Sequence, residues 1–202
     1  MTQTQSDTDD RYTYQWFIDR FREAGEQAVR FCRPIEEGRF LTRPAEKIWS
    51  AGECYDHLNT FGDRYVDSIR TGLKRGSDNR AEPGQSFKPG WIAGGVAWFF
   101  EPPYSIKIKT LRPFKPQSAA SLEKERVLNA FTSLQDTLIE SLEEARDRRL
   151  VLDKCHTSHP LFNWISMTVA ECFAIVEVHQ RRHMWQAEQV LKHLNETVVR
   201  PS

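Results

Sequence analysis

Several features that mark common protein classes are missing from this chain. It has no excess of either charge, since 28 basic residues balance 28 acidic ones for a formal net charge of zero. A broad footprint on nucleic acid or an anionic membrane needs a basic surplus to displace counterions, so neither partner is expected. No run approaches the roughly eighteen consecutive apolar residues that a membrane helix requires. The opening stretch, MTQTQSDTDDRYTYQ, is polar and acidic and lacks the cationic segment and apolar stretch of a secretory signal. Cysteine is scarce, and Cys32, Cys54, Cys155 and Cys172 stand far apart with no CxxC pair. In a chain without a signal these read as reduced thiols, not as a disulfide frame. There is no internal repeat and no low-complexity tract. The expectation is a soluble, cytoplasmic protein.

What is present is helical periodicity. The composition is that of a globular protein, 39% hydrophobic and 11% aromatic, and 202 residues suffice for one well-cored domain. A first helix is expected over about 14–31, where Phe17, Phe21, Ala24, Ala28 and Phe31 recur at steps of four and three. Arg33-Pro34 closes it, because the residue before proline is pushed out of the helical region. A second begins at WSAGE, with Ser50 as N-cap and Glu53 three residues on as its capping-box partner. Its stripe runs through Cys54, Leu58, Phe61, Tyr65 and Ile69 and fades at LKRGSDN. A third spans about 121–148, with Val127, Phe131, Leu134, Leu138 and Leu142 on one side. A fourth, about 166–194, carries Val169, Cys172, Val176, His179, His183, Ala187, Val190 and Leu194 on its stripe.

Between the second and third helices lies a connection of about 45 residues, from Gly76 to Ala120, that holds most of the prolines. A structureless loop of that length is out of place in a compact domain. Within it, WIAGGVAWFF reads as a short buried turn or helix, and YSIKIKTL as an extended segment laid along the body. The whole is expected to be an all-α four-helix bundle with one long crossover, which lets the second and third helices run the same way.

Two histidines four apart, His179 and His183, occupy one face of the fourth helix, and His57 lies on the apolar stripe of the second. Imidazoles at this spacing can converge on one divalent ion if a third ligand comes from another helix. The alternative is a set of satisfied or half-exposed core histidines. A buried neutral imidazole without partners for both nitrogens costs a few kcal/mol, and these stripes supply few compensating polar groups. Glu53, one turn before His57, reads as a general base or simply as the capping residue. Gln186 and Arg182 read as groups flanking the site, or as a backbone cap and a solvated arginine. Cys54 and Cys172 read as small core residues more readily than as ligands or nucleophiles. His156 and His159 read as loop residues and His193 as a helix-end residue acting on the dipole. Trp91, Trp98, Trp164 and Trp185 read as core or dimer surface.

WSAGECYDHLN (49–59), followed by HPLFNWISMTVAECFAIVEVHQRRHMWQAEQV (159–190), resembles the DinB-like superfamily of bacterial four-helix proteins, also called the DinB/YfiT group. The likeness rests on Trp49-Ser50, Glu53 and His57, on the His-Pro pair before the last helix, and on His179, Arg182, His183 and Gln186. The crossover EPPYSIKIKTLRPFKP is also similar. The resemblance implies one domain over 12–195 behind a disordered tail at 1–11, with helices in up-down-down-up order. It also implies a divalent metal (zinc, nickel or iron) held by His57, His179 and His183, with Glu53, Arg182 and Gln186 around them, and a homodimer. Some relatives transfer low-molecular-weight thiols or isomerise thiol adducts, and others supply an iron site in ergothioneine synthesis. The additional catalytic domain of the latter is not expected here, which argues against that particular chemistry. The implied function is a metal-dependent enzyme acting on a small molecule by thiol transfer or hydrolysis. The alternative is a metal-binding bundle that serves in stress response or association without turnover. Three neutral imidazoles leave the ion its charge and an open position, the layout of catalytic zinc.

Overall fold

The computed structural model describes residues 11–88, 90 and 114–199. The expected tail, the WIAGGVAWFF and YSIKIKTL segments, and Trp91 and Trp98 lie outside the described residues, save Arg11. The described chain is predominantly helical, and among its residues no helix is long and apolar enough to cross a membrane.

Helix α1 (Tyr14–Cys32) starts where Thr13 accepts a hydrogen bond from the Trp16 amide, and it ends ahead of Pro34. Its buried face runs through Phe17, Phe21, Gly25, Ala28 and Cys32. The stripe has therefore turned by one residue from the Ala24 and Phe31 that the spacing picks out, and both of these are only partly buried. A short helix that the periodicity does not reveal, α2 (Glu37–Leu41), follows and buries Phe40. Five residues are too few for an apolar stripe to register as helical. Helix α3 (Ala51–Arg75) begins with the expected capping box: the Glu53 amide donates to Ser50 Oγ at 3.1 Å, and the Ser50 amide donates to Glu53 Oε2 at 2.9 Å.

Helix α4 (Lys124–Asp147) starts three residues later than expected, because Ala119–Ser121 forms a separate 3-10 turn. Before the last helix the chain makes a small antiparallel hairpin that the sequence reading misses, β1 (His156–Ser158) with β2 (Ser166–Thr168), in register His156 to Thr168. His156 is thus a strand residue and His159 follows the strand. Helix α5 (Val169–Val199) begins after Thr168, whose amide and that of Glu171 are exchanged with each other's side chains in a second capping box. Because α5 continues to Val199, His193 is not in the last turn, and a dipole interaction there is corrected to an exposed position inside the helix.

Helix α3 packs against both α4 and α5, and α1 packs against the same two. Asn59 donates to the Val127 carbonyl at 3.0 Å, and Gly62 lies so close under Leu134 that a Cβ there would overlap it. Gly72 lies against Val169, and His57 meets His179. Tyr14 bonds the Ala145 carbonyl, Arg20 reaches Glu177, and Gln27 reaches Glu188. The apolar core falls into two clusters. One takes Phe61 to Leu73 of α3 with Val169 to Val176 of α5, and the other takes Ala51 to Leu58 of α3 with Met184 to Leu191 of α5. On α5 His179 and His183 fall in the gap between the clusters, and on α3 His57 lies at the edge of the second cluster, beside Leu58.

Candidate metal centre

The site forms where helical spacing brings one residue of α3 opposite two of α5. His57, His179 and His183 are all buried, at 2%, 6% and 8% exposure. One nitrogen from each lies within 4.8 Å of the others, and among the described residues no carboxylate or thiolate joins this cluster. The ring centroids are 4.5–5.1 Å apart. Ligand nitrogens about 2.0–2.1 Å from a tetrahedral ion are about 3.4 Å from one another, so the cluster is close to the size of a coordination shell.

Tautomers test the fit. His57 Nδ1 lies 2.5 Å from the Phe114 carbonyl oxygen, which can only accept, so the proton sits on Nδ1 and Nε2 carries a lone pair. That Nε2 faces His179 Nε2 at 2.9 Å. Two lone pairs cannot face each other at that distance unless a proton or a cation lies between them. His183 adds a buried Nδ1 with no hydrogen bond of good geometry among the described residues and only Gln186 as a polar neighbour, an unfavourable arrangement in a purely structural core. A carbonyl fixing the tautomer through Nδ1 while Nε2 points inward is the usual outer support of a metal-bound imidazole. The residues present fit a divalent ion.

The electrostatics keep these rings in the ligand form. Burial lowers the proton affinity of His57, with the Phe114 carbonyl pulling the other way. His179 is held well below the ordinary histidine range by burial, then by His183, His57 and Arg182. Burial does the same to His183, aided by His57 and Arg182 and opposed by a hydrogen bond with Gln186. Arg182 thus disfavours protonation of His179 and His183, while Gln186 favours it at His183.

Glu53 does not. Arg43 engages both of its carboxylate oxygens, and one of them also caps the Ser50 amide. Burial pushes its carboxyl up, but Arg43 and Ser50 outweigh burial and leave it below the usual range. Cys54 and Cys172 are buried core thiols whose proton affinity burial raises far above the ordinary value. Trp164 is 77% exposed and Trp185 43%, so neither belongs to the core.

Sequence reasoning misses the aromatic wall and the strap. Trp49 lies 5.1 Å from the His57 ring and 5.9 Å from His183, and Phe61 stacks on His179 at 3.9 Å. Phe61 sits on the apolar stripe four residues after His57, the one signal that could have placed it here. The Phe114 carbonyl has no side-chain signature at all. It is held in place because the Gln117 amide donates to Asp56 Oδ2 at 2.7 Å, which ties this segment to α3 beside His57.

A family model described as the DinB superfamily matches residues 20–187 of the chain. No curated protein matches it.

Proposed function

This chain belongs to the DinB superfamily, and from that premise we propose that it binds a divalent metal through His57, His179 and His183 and acts on a small molecule by thiol transfer or hydrolysis. The observation that carries the metal reading is the bond from His57 Nδ1–H to the Phe114 carbonyl, which commits Nε2 as a lone-pair donor facing His179. When bound, a divalent ion with three neutral ligands would supply a Lewis acid and a lowered pKa for coordinated water or thiol. The chain's own residues do the rest. Phe114 and Asp56 orient His57, Phe61 and Trp49 wall the rings from water, and Arg182 disfavours protonation of His179 and His183. Zinc, nickel and iron all suit imidazole, and the donor set does not choose among them.

The same reading includes the four-helix bundle in up-down-down-up order. It is supported by the pairings of Asn59 with Val127 and Gly62 with Leu134, which advance together along α3 and α4. The pairings of Gly72 with Val169 and His57 with His179 advance oppositely along α3 and α5. It also includes a homodimer, for which the exposed Trp164 and Trp185 offer apolar surface and which light scattering tests. The second reading, a metal-binding protein without turnover, is favoured by the burial of all three rings. Metal per chain in the purified protein, compared with His57→Ala and His183→Ala, tests the first step. Equal and negligible metal in all three ends the metal reading. A screen of the metal-loaded protein with low-molecular-weight thiols, electrophiles and esters separates the two readings, because turnover lost in His57→Ala supports the enzyme and no turnover supports the second.

A further inference from the structure

A second candidate site lies on the same face of α3 as His57, toward the other end. From His57 and Phe61 the helix continues with Arg64, Ser68, Thr71 and Arg75 at steps of three and four, so these side chains share one stripe. Where the stripe meets Thr157–Pro160 there is a cleft of about 280 Å³. That is room for a small organic molecule. Its walls are fixed. Thr157 Oγ1 donates to the Ser68 carbonyl at 2.8 Å, which locks the hairpin onto α3.

The chemistry of the lining is that of a carboxylate receptor. Arg64 and Arg75 are exposed and form no ion pair among the described residues, whereas Arg20, Arg43, Arg148 and Arg149 all do. The Arg64 guanidinium lies 5.8 Å over the Phe114 ring, which holds its plane and leaves its N–H edge for a ligand. His159 has a fixed tautomer. Its Nδ1 accepts from the Leu161 and Phe162 amides at 3.1 and 3.2 Å, so the ring proton is on Nε2 and the ring is a neutral donor. The ring is braced by Phe162, 5.2 Å away, and by Tyr65 at 6.2 Å. The one carboxylate in the cleft, Asp67, leaves its lining with a single net positive charge. That balance matches a carboxylate, whose charge is one, better than a doubly charged phosphate.

We propose that the cleft between α3 and the β1–β2 hairpin binds the carboxylate of a small organic anion, with Arg64 and Arg75 as its cationic contacts and His159 as a neutral hydrogen-bond donor. The site uses none of the three clustered histidines, so it stands whether or not a metal binds.

Titrating the isotope-labelled full chain with sodium acetate, inorganic phosphate and chloride at matched ionic strength, read by NMR, tests this. Acetate is expected to give saturable shifts at the Arg64 and Arg75 Nε–H and His159 Nε2–H signals, with tighter binding than phosphate. The Arg64→Gln/Arg75→Gln double variant loses both cationic contacts and is expected to bind acetate at least about tenfold more weakly, or about 1.4 kcal/mol. These positions are exposed, so the variant should keep the native spectrum elsewhere. Acetate is expected to bind the chelator-treated and the zinc-treated protein equally, which separates failure here from failure of the metal reading. Shifts identical in chloride, phosphate binding tighter than acetate, or unchanged acetate affinity in the double variant would each overturn the proposal.

Discussion

Lowering the pH of the metal-free protein from about 7 to about 5 probes the histidine cluster more directly than any single substitution. Burial depresses proton binding by His57, His179 and His183 in the fold, and the latter two are held well below the ordinary value. In the unfolded chain each titrates near about 6.5. Above that value neither state binds the protons, and stability is flat. Below it the unfolded chain gains protons that the buried rings refuse, so stability falls as pH falls toward the folded values. Each ring that stays neutral costs about 1.4 kcal/mol per pH unit, or about 2 kcal/mol between pH 6.5 and 5. His179 and His183 together therefore remove at most about 4 kcal/mol, the limit in which both stay neutral, and His57 adds less than about 2. Half-buried His159 contributes in the same direction. Against a typical stability of about 5–15 kcal/mol, this is a large share of what holds the chelator-treated protein folded near pH 5. The assay is urea unfolding followed by circular dichroism at the two pH values. Carboxylates such as Glu53 titrate lower and barely enter this window. A change of less than about 1 kcal/mol would show that the rings are not buried as neutral groups, and the electrostatic account of the site would fail.

Three further outcomes follow from particular contacts. Glu53→Ala removes the capping box and leaves Arg43 without its partner, so it should lower unfolding free energy by about 2 kcal/mol while metal per chain stays unchanged. Loss of metal at unchanged stability would return Glu53 to the site. Asp56→Ala frees the Gln117 amide and loosens the Phe114 carbonyl from His57, and metal affinity against a competing chelator should fall about tenfold. Asp56→Asn keeps an acceptor oxygen and should recover part of that loss, whereas equal affinity in all three proteins refutes the strap. Gly62→Ala drives a methyl into Leu134 where α3 and α4 touch, and thermal or urea unfolding should register about 1–3 kcal/mol of destabilisation.

The four long helices were legible because each buries a face against neighbours over five or more turns, long enough for the three-and-four spacing to stand out. The N-terminus of α3 was legible to the residue, since Ser50 and Glu53 act locally. The start of α5 was equally local, yet it was read three residues early although Thr168 and Glu171 form the same motif, because Met167 is buried in a strand and extends the apolar pattern backwards. Strands of three residues and a helix of five carry too few side chains to show a period. The metal cluster was half legible. Spacing and inward stripes placed His57, His179 and His183 on facing positions, but the Phe114 carbonyl that decides the tautomer is backbone, and only the path of the chain brings it to His57.

The position of His179 and His183 between two apolar clusters, with His57 at the edge of one, has an energetic consequence. On α3 the apolar contacts stop at Leu58 and resume at Phe61, and on α5 they stop at Val176 or Val178 and resume at Met184. A continuous leucine stripe would join the clusters and bury no imidazole nitrogen. The metal-free fold therefore carries a polar site that works against its own stability, which is what a binding site built into a core requires. Replacing His179 and His183 together with leucine should leave the chelator-treated protein at least as stable at pH 7 and abolish most of its stability loss toward pH 5. The same double variant should no longer be stabilised by added zinc, which should raise the unfolding temperature of the unaltered chain. A double variant that is several kcal/mol less stable than the parent in chelator would mean that the three rings satisfy one another as a structural hydrogen-bonded cluster, and the metal reading would lose its physical basis.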